Sequence, residues 1–288
     1  MGQFVLGIDI SKAYFDVYLM GGVEAASGRF NNEVSGFKQL GKWLKKRKVE
    51  TLHACMEATG RYGDDLALWL QQQGFQVSVV NPRRIKKYGE SKLKRNKTDK
   101  IDAKLTADFC LTQKPALWAP PPEGYQELQA LTRRWQMLVD NRTQEKNRLL
   151  SGIPSQTVLD SIQAHIDFLN TQIQLVEKQI QEHIDQYPSL KQQRDLLVSI
   201  PGIAEKSAAR IMAELPDHSR FSSADQVVAY AGLSPQQHTS GSSIRKQTKL
   251  TTIGKRPLKT ALFFPALCAM RFNPVVCSLT QRLREKAS

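Results

Sequence analysis

Short apolar, β-branched runs alternate with helix-periodic stretches along the first third of the chain. QFVLGIDI (3–10) and YFDVYLM (14–20) flank a tight connection at Ser11-Lys12, and RFNNE (29–33) completes a predicted three-strand meander. VSGFKQLGKWLKKR (34–47) places its apolar residues at helical spacing, and TLHACMEA (51–58) reads as a strand. YGDDLALWLQQQG (62–74) reads as a helix ending at Gly74, and FQVSVV (75–80) as a strand before Asn81-Pro82. KTDKIDAKLTADFCLTQK (97–114) predicts a helix with Thr98 as its N-cap.

The resulting order, β-β-β-α-β-α-β-α, is that of the ribonuclease H-like fold, an α/β class. WAPPPEGY (118–125) holds three consecutive prolines, cannot be helix or central strand, and marks the best boundary in the chain. Beyond it the pattern becomes a heptad. Val158, Ile162, Ile166, Leu169, Ile173, Val176, Ile180 and Ile184 fall three or four apart among polar residues, many of them Gln. Leu128, Leu131, Trp135, Leu138 and Leu149 continue the repeat upstream, with Arg142 and Glu145 interrupting it and SGIPS (151–155) as the turn. An antiparallel coiled-coil hairpin is expected, within one chain or between two. LLVSIPGIAEKSAARIMAELPD (196–217) then has the pattern of a helix-hairpin-helix, which presents backbone N–H groups to phosphate. After it, over 221–267, come a helix, a polar loop without strong periodicity, a basic stretch and an apolar helix from about 257.

Charge narrows the function. The 288 residues carry 41 Lys+Arg against 27 Asp+Glu, a formal +14. Residues 83–104 hold ten basic and three acidic side chains, and 241–288 hold ten and one, so two patches exceed the whole-chain charge and the remainder is near neutral. Two separated basic patches suit a polyanion gripped from two sides, favouring nucleic acid over an acidic small molecule or a membrane surface. The longest apolar run, ALFFPALCA (261–269), is too short to span a bilayer and contains Pro265. The opening MGQFVLGIDI reads as neither a signal nor a transit peptide, and Cys55, Cys110, Cys268 and Cys277 lack C-x-x-C spacing. A cytoplasmic protein with reduced thiols is expected.

Two acids inside the lysine-rich run KTDKIDAK (97–104) sharpen this. Asp99 and Asp102 lie three apart, on one helical face. They either relieve lysine repulsion through i,i+3 and i,i+4 pairs on a helix surface or hold a metal beside a phosphate. Asp9, between isoleucines where an unpaired acid is costly, and Glu57, which could also simply cap the following turn, are the other candidate ligands. Magnesium needs few carboxylates converging from different elements, and paired metals clamp the attacking and leaving oxygens of phosphoryl transfer. Asp16 also sits in an apolar strand, and its neighbours place it at an edge or behind the site.

GIDISK, MEATG and KTDKIDA, followed by IPGI and GLSPQQHTSG, resemble the transposases of the bacterial insertion sequence 110 family, also called the Piv/MooV or DEDD group. The resemblance runs over roughly 3–272, and five motifs in order make it specific. It implies a RuvC-like catalytic domain over 1–122, a helical coiled-coil linker over 123–190 and a C-terminal transposase domain over 191–288. It also implies a tetrad of Asp9, Glu57, Asp99 and Asp102 holding Mg²⁺, for which Mn²⁺ can substitute, and a nucleophilic serine at Ser240, with Ser242 a rival in the same hydroxyl-rich loop. Family members are similar to recombinases guided by a structured RNA that pairs with target and donor DNA, and they assemble as homodimers and homotetramers. The phosphate-contacting cations are expected at Arg83, Arg84, Lys86, Lys87, Lys92, Lys94, Arg95 and Lys97, and at Arg245, Lys246, Lys249, Lys255 and Arg256. The competing readings are a metal-dependent junction-resolvase-like nuclease that uses water, and a non-enzymatic nucleic-acid-binding protein.

Overall fold

Alternation along β1 (Phe4–Ile10) gives the strand two different faces. Leu6, Ile8 and Ile10 bury into one core, whereas Val5 belongs to a second core and shares its face with Gly7 and Asp9. β2 (Tyr14–Met20) pairs antiparallel with β1, and β3 (Ala26–Asn31) antiparallel with β2. On the other side β4 (Leu52–Glu57) runs parallel to β1, and β5 (Gln76–Val80) parallel to β4. The order β3-β2-β1-β4-β5 with these directions fits a ribonuclease H-like sheet.

The computed structural model describes residues 4–21, 24–58, 60–92, 99–215, 221–240, 244–251 and 253–287, without the side chains of 61, 99–101, 236–240, 244–248 and 286–287. Thr98, expected as an N-cap, lies outside the described residues. The chain divides into two compact units, residues 1–120 and 121–288.

In the first unit, α1 (Val34–Lys46) and α2 (Asp64–Gln72) cover one sheet face, packing Phe37, Leu40, Leu44, Leu66 and Leu70 on the even-numbered residues of β1 and β4. α3 (Pro82–Ser91) and α4 (Asp99–Gln113) contribute Ile85, Ala107, Phe109 and Cys110 to the core on the opposite face. The sequence pattern did not anticipate α3. Asn81-Pro82 reads as a strand end, yet the Asn81 side chain accepts a hydrogen bond from Arg83 N at 2.9 Å and Pro82 takes the first helical turn, so the pair starts a helix.

α4 sits unusually close to β1. A Cβ built on Gly7 would stand 2.1 Å from the Ala103 carbonyl oxygen and 2.3 Å from the Ala107 nitrogen. Both obstacles are backbone, so neither can swing aside. Gly7→Ala is expected to lower the unfolding free energy by about 1–3 kcal/mol or more, as overpacking does. Thermal melting checks this, and an unchanged melting temperature would contradict the contact.

The second unit opens with α5 (Tyr125–Leu149) and α6 (Gln156–Gln186). Trp135 meets Glu177, Arg142 meets Asn170 and Glu145 meets His165, so residue numbers fall on one helix as they rise on the other and the pair is antiparallel. The two residues that interrupt the heptad are thus accounted for: Glu145 is buried between Arg148, 2.6 Å away, and His165, while Arg142 bonds Asn170. Val158, expected in the seam, is 44% exposed because α5 has ended before it can reach a partner. α7 (Pro188–Val198) and α8 (Glu205–Glu214) follow, with Leu190, Ala209, Met212 and Ala213 completing the α5–α6 core.

α9 (Ala224–Ala231) leads into β6 (Pro235–Ser240) and β7 (Ile244–Leu250), an antiparallel hairpin where the sequence pattern suggests a polar loop. Hydrophobic alternation cannot reveal such a pair, because QQHTS and RKQTK carry no apolar face. α10 (Arg256–Phe272), with Pro265 inside it, and α11 (Pro274–Ala287) end the chain. Among the described residues no single helix is long and apolar enough to cross a membrane; α10 and α11 pass the length and composition test only as a pair bent by 85°.

Candidate active site

Asp9 and Glu57 close two adjacent parallel strands. The β1–β4 register pairs Gly7 with Cys55 and Ile8 with Met56, so its next step sets Asp9 beside Glu57. Both belong to the face that carries Val5 and Cys55, the one that α4 covers. α4 supplies the third acid by its direction. Val5 shares a core with Ala107 and Cys110, and Gly7 lies against Ala103 and Ala107. As β1 runs towards Asp9, α4 therefore runs back towards its own N-terminus, bringing Asp102 and, one turn before Ala103, the backbone of Asp99 to the same strand ends. Asp9, Glu57 and Asp102 are each half-buried and each has interaction partners. The Asp99 side chain lies outside the described residues.

Sequence reasoning left Asp16 at the margin, and the structure gives it a definite place. It stands opposite Asp9 in the β1–β2 register, 3% exposed. Arg29 on β3 holds it in a bidentate pair, with Nε 3.0 Å from Oδ1 and Nη2 2.8 Å from Oδ2, and the guanidinium lies 4.1 Å from the Tyr14 ring centroid. Arg29 thereby compensates a buried carboxylate next to Asp9. The signal was present only as a match between two strands, since Asp16 and Arg29 are cross-strand partners and neither stands out alone. Deeper in the same face, Cys55 and Cys110 are buried free thiols. The hydrogen bond with Cys110, together with burial, pushes the Cys55 thiol well above the usual range and keeps it protonated.

Among the described residues no three acid, histidine or cysteine groups close a metal site by themselves. Magnesium takes one or two protein carboxylates and leaves its remaining positions to water and substrate phosphate, so carboxylates from different elements suffice to hold it. The donors here are carboxylate oxygens only, which fits Mg²⁺ or Mn²⁺ and not a zinc site of nitrogen and sulfur ligands.

The expected cations divide into free and engaged groups. Arg83, Arg84, Lys86 and Lys87 are exposed on α3 around the buried Ile85, and Arg84 lies 5.5 Å from the Phe109 ring centroid. Lys92 is held by Asp108 at 2.9 Å and by Tyr88, which together raise its pKa above the ordinary lysine value. Lys94, Arg95 and Lys97 lie outside the described residues. On the second unit, Lys249 and Arg256 are exposed and the side chains of Arg245 and Lys246 are undescribed. Lys255 donates to the Glu214 carbonyl at 2.8 Å and pairs with its carboxylate at 2.9 Å, which makes it internal to the fold. Ser240 ends β6 opposite Ile244, and 241–243, Ser242 among them, lie outside the described residues.

Comparisons with known proteins cover both units, the first family model crossing the boundary between them. A transposase family model, DEDD_Tnp_IS110, matches residues 6–156, and the transposase IS116/IS110/IS902 family model matches 194–281. The pilin gene-inverting protein of Moraxella bovis is 34% identical over 99% of this chain and 89% of its own length. The transposase for insertion sequence element IS1328 of Yersinia enterocolitica is 24% identical over 71% of this chain and 66% of its own. Among solved structures, T. thermophilus RuvC in complex with a Holliday junction substrate aligns at 13% identity with a TM-score of 0.30, over 40% of this chain and 98% of that one. With one family model spanning more than half of the sequence and a relative above 30% identity along nearly all of it, the chain belongs to the IS110 family of transposases, enzymes that act on DNA.

Proposed function

We propose that this transposase is a site-specific recombinase in which Asp9, Glu57, Asp99 and Asp102 hold Mg²⁺ and Ser240 is the nucleophile. The observation that supports it most is the meeting of Asp9 and Glu57 at neighbouring strand ends under the helix that carries Asp102. Bound there, Mg²⁺ would supply neutralising charge for the phosphoryl oxygens. The exposed cations of α3 would lay a phosphate backbone along the edge of this site. Ser240 Oγ would form a bond to phosphorus while a deoxyribose hydroxyl leaves with a proton, storing the phosphodiester energy in a phosphoserine link until strand exchange. With sequence selection left to base pairing by a structured guide RNA, the protein needs backbone contacts and no base-reading helix. A homodimer or homotetramer would bring the serine of one copy to the acids of another.

The metal assignment is tested without DNA. Mn²⁺ titrated into the full chain and followed by electron paramagnetic resonance should bind saturably, and Asp102→Asn should weaken that binding by about tenfold or more, since even outer-sphere changes cost 10–100-fold. Equal binding by both proteins would remove α4 from the site.

A further inference from the structure

One arginine of the helical unit belongs to neither basic segment. Arg210 on α8 is half-buried and lines two adjoining cavities, one of about 220 Å³ beside Trp135 and Glu177 and one of about 520 Å³ between α5, α8 and α10. Its guanidinium lies 5.7 Å from the Trp135 ring centroid. Among the described residues none accepts a hydrogen bond from it.

The acids nearby are already occupied. Glu214, 4% exposed, takes Arg133 at 3.2 Å and Lys255 at 2.9 Å. Asp140 accepts from Gln136 Nε2 at 2.7 Å. Both attract Arg210 across the cavity, yet burial outweighs them and lowers its pKa below the ordinary arginine value. The larger cavity is also lined by Arg133 and Arg256, and the Gln136 Oε1 atom is buried beside them with no donor. Three guanidinium groups stand here with two acids that already accept a hydrogen bond and two buried acceptors without one, Gln136 Oε1 and Glu214 Oε2, the latter facing the Lys255 ammonium, so the pocket has spare donors and room for a donor from its occupant. Such a pocket suits an oxyanion that carries a hydroxyl or amino group near it.

We infer that the cavity between α5, α8 and α10 holds a phosphate, that of a nucleic-acid strand, on Arg210 and Arg256. A phosphodiester brings acceptor oxygens for the guanidinium forks, and an amino group of an adjoining base, or the 2′-hydroxyl of a ribose, brings a donor for Gln136. The inference rests on the chain's action on nucleic acid but not on the metal site, so it is tested in the presence of EDTA.

A short fluorescein-labelled DNA duplex is titrated with the full chain over a range of salt concentrations and read by anisotropy. Arg210→Gln and Arg256→Gln should each weaken binding about tenfold and reduce the salt slope by about one. Lys178→Gln, which removes an exposed charge on α6 paired with Glu182, should do neither. Melting curves check folding; Arg256 is exposed on the rim, so its variant carries the test if Arg210→Gln does not fold. In parallel, inorganic phosphate should raise the melting temperature of the unsubstituted protein and not that of Arg256→Gln. If the phosphate effect is lost in the variants while their DNA affinity is unchanged, the occupant is free phosphate and the nucleic-acid assignment is overturned. Variants that keep both DNA affinity and the phosphate response, or a Lys178→Gln loss as large as theirs, overturn the site altogether.

Discussion

Asp9→Asn is expected to abolish recombination on a plasmid carrying the element's ends while leaving the protein folded. Asparagine has nearly the volume of aspartate, so β1 and its pairing with β2 and β4 have no steric reason to change. What is lost is one negative charge at the strand end where Glu57 and Asp102 also arrive. A metal held by so few carboxylates depends on each of them, and the expected fall in product exceeds about 100-fold, the upper range for changes one shell further out. Glu57→Gln should behave alike. The comparison with Asp16→Asn separates charge near the site from charge in it: Asp16 is already matched by Arg29, so its loss should act mainly on stability. Recombination by Asp9→Asn at more than a tenth of the normal rate would sink the metal-ligand role.

Ser240→Ala should remove every covalent protein–DNA adduct, trapped by denaturation and detected as a shift of labelled DNA with the protein. No side chain of alanine can form the ester, so the expected effect is complete loss and not a fractional one. Ser242→Ala is the matched comparison and should retain adducts. Loss in Ser242→Ala with retention in Ser240→Ala would move the nucleophile two residues along the sequence. Adducts surviving in both would assign attack to another group. Because Ser240 and the acids belong to different compact units, mixing Asp9→Asn with Ser240→Ala protein offers a further readout: restored activity in the mixture means that sites are shared between copies.

Much of the first unit was legible because its signals are local. Alternating apolar runs gave the strands, helical spacing gave α1, α2 and α4, and Asp9 stood out as an acid in an apolar strand. The helix α3 was missed where one dipeptide serves two structures, since Asn-Pro both ends a strand and caps a helix. The β6–β7 hairpin was missed because its strands are polar on both sides, so its pairing is a non-local fact that no periodicity records. The compensation of Asp16 by Arg29, and of Glu214 by Arg133 and Lys255, was invisible for the same reason. Lys255 shows the cost of reading charge from composition: a lysine in a basic segment turned out to serve a buried carboxylate. Ser240 was reached by resemblance alone, as its hydroxyl-rich surroundings read as an ordinary turn.

The hairpin leaves the helical core through a narrow neck. Gly232 follows α9 with φ +74°, and a Cβ on Gly254, just before α10, would stand 2.2 Å from the Gly232 Cα. Thr251 N to Ser234 O at 3.0 Å and Lys255 N to Tyr230 O at 2.7 Å fasten the two chains where they pass. A separate economy governs the acids. At Gly7 the spacing between α4 and the sheet is set by main chain against main chain, with no rotamer between them. The positions of Asp9, Glu57 and Asp102 therefore inherit the stiffness of the backbone. Core substitutions around Cys55 or Phe109 should erode how long the unit stays folded well before they alter the distances at which its carboxylates work, so thermal tolerance and catalytic rate can drift independently across variants of this chain.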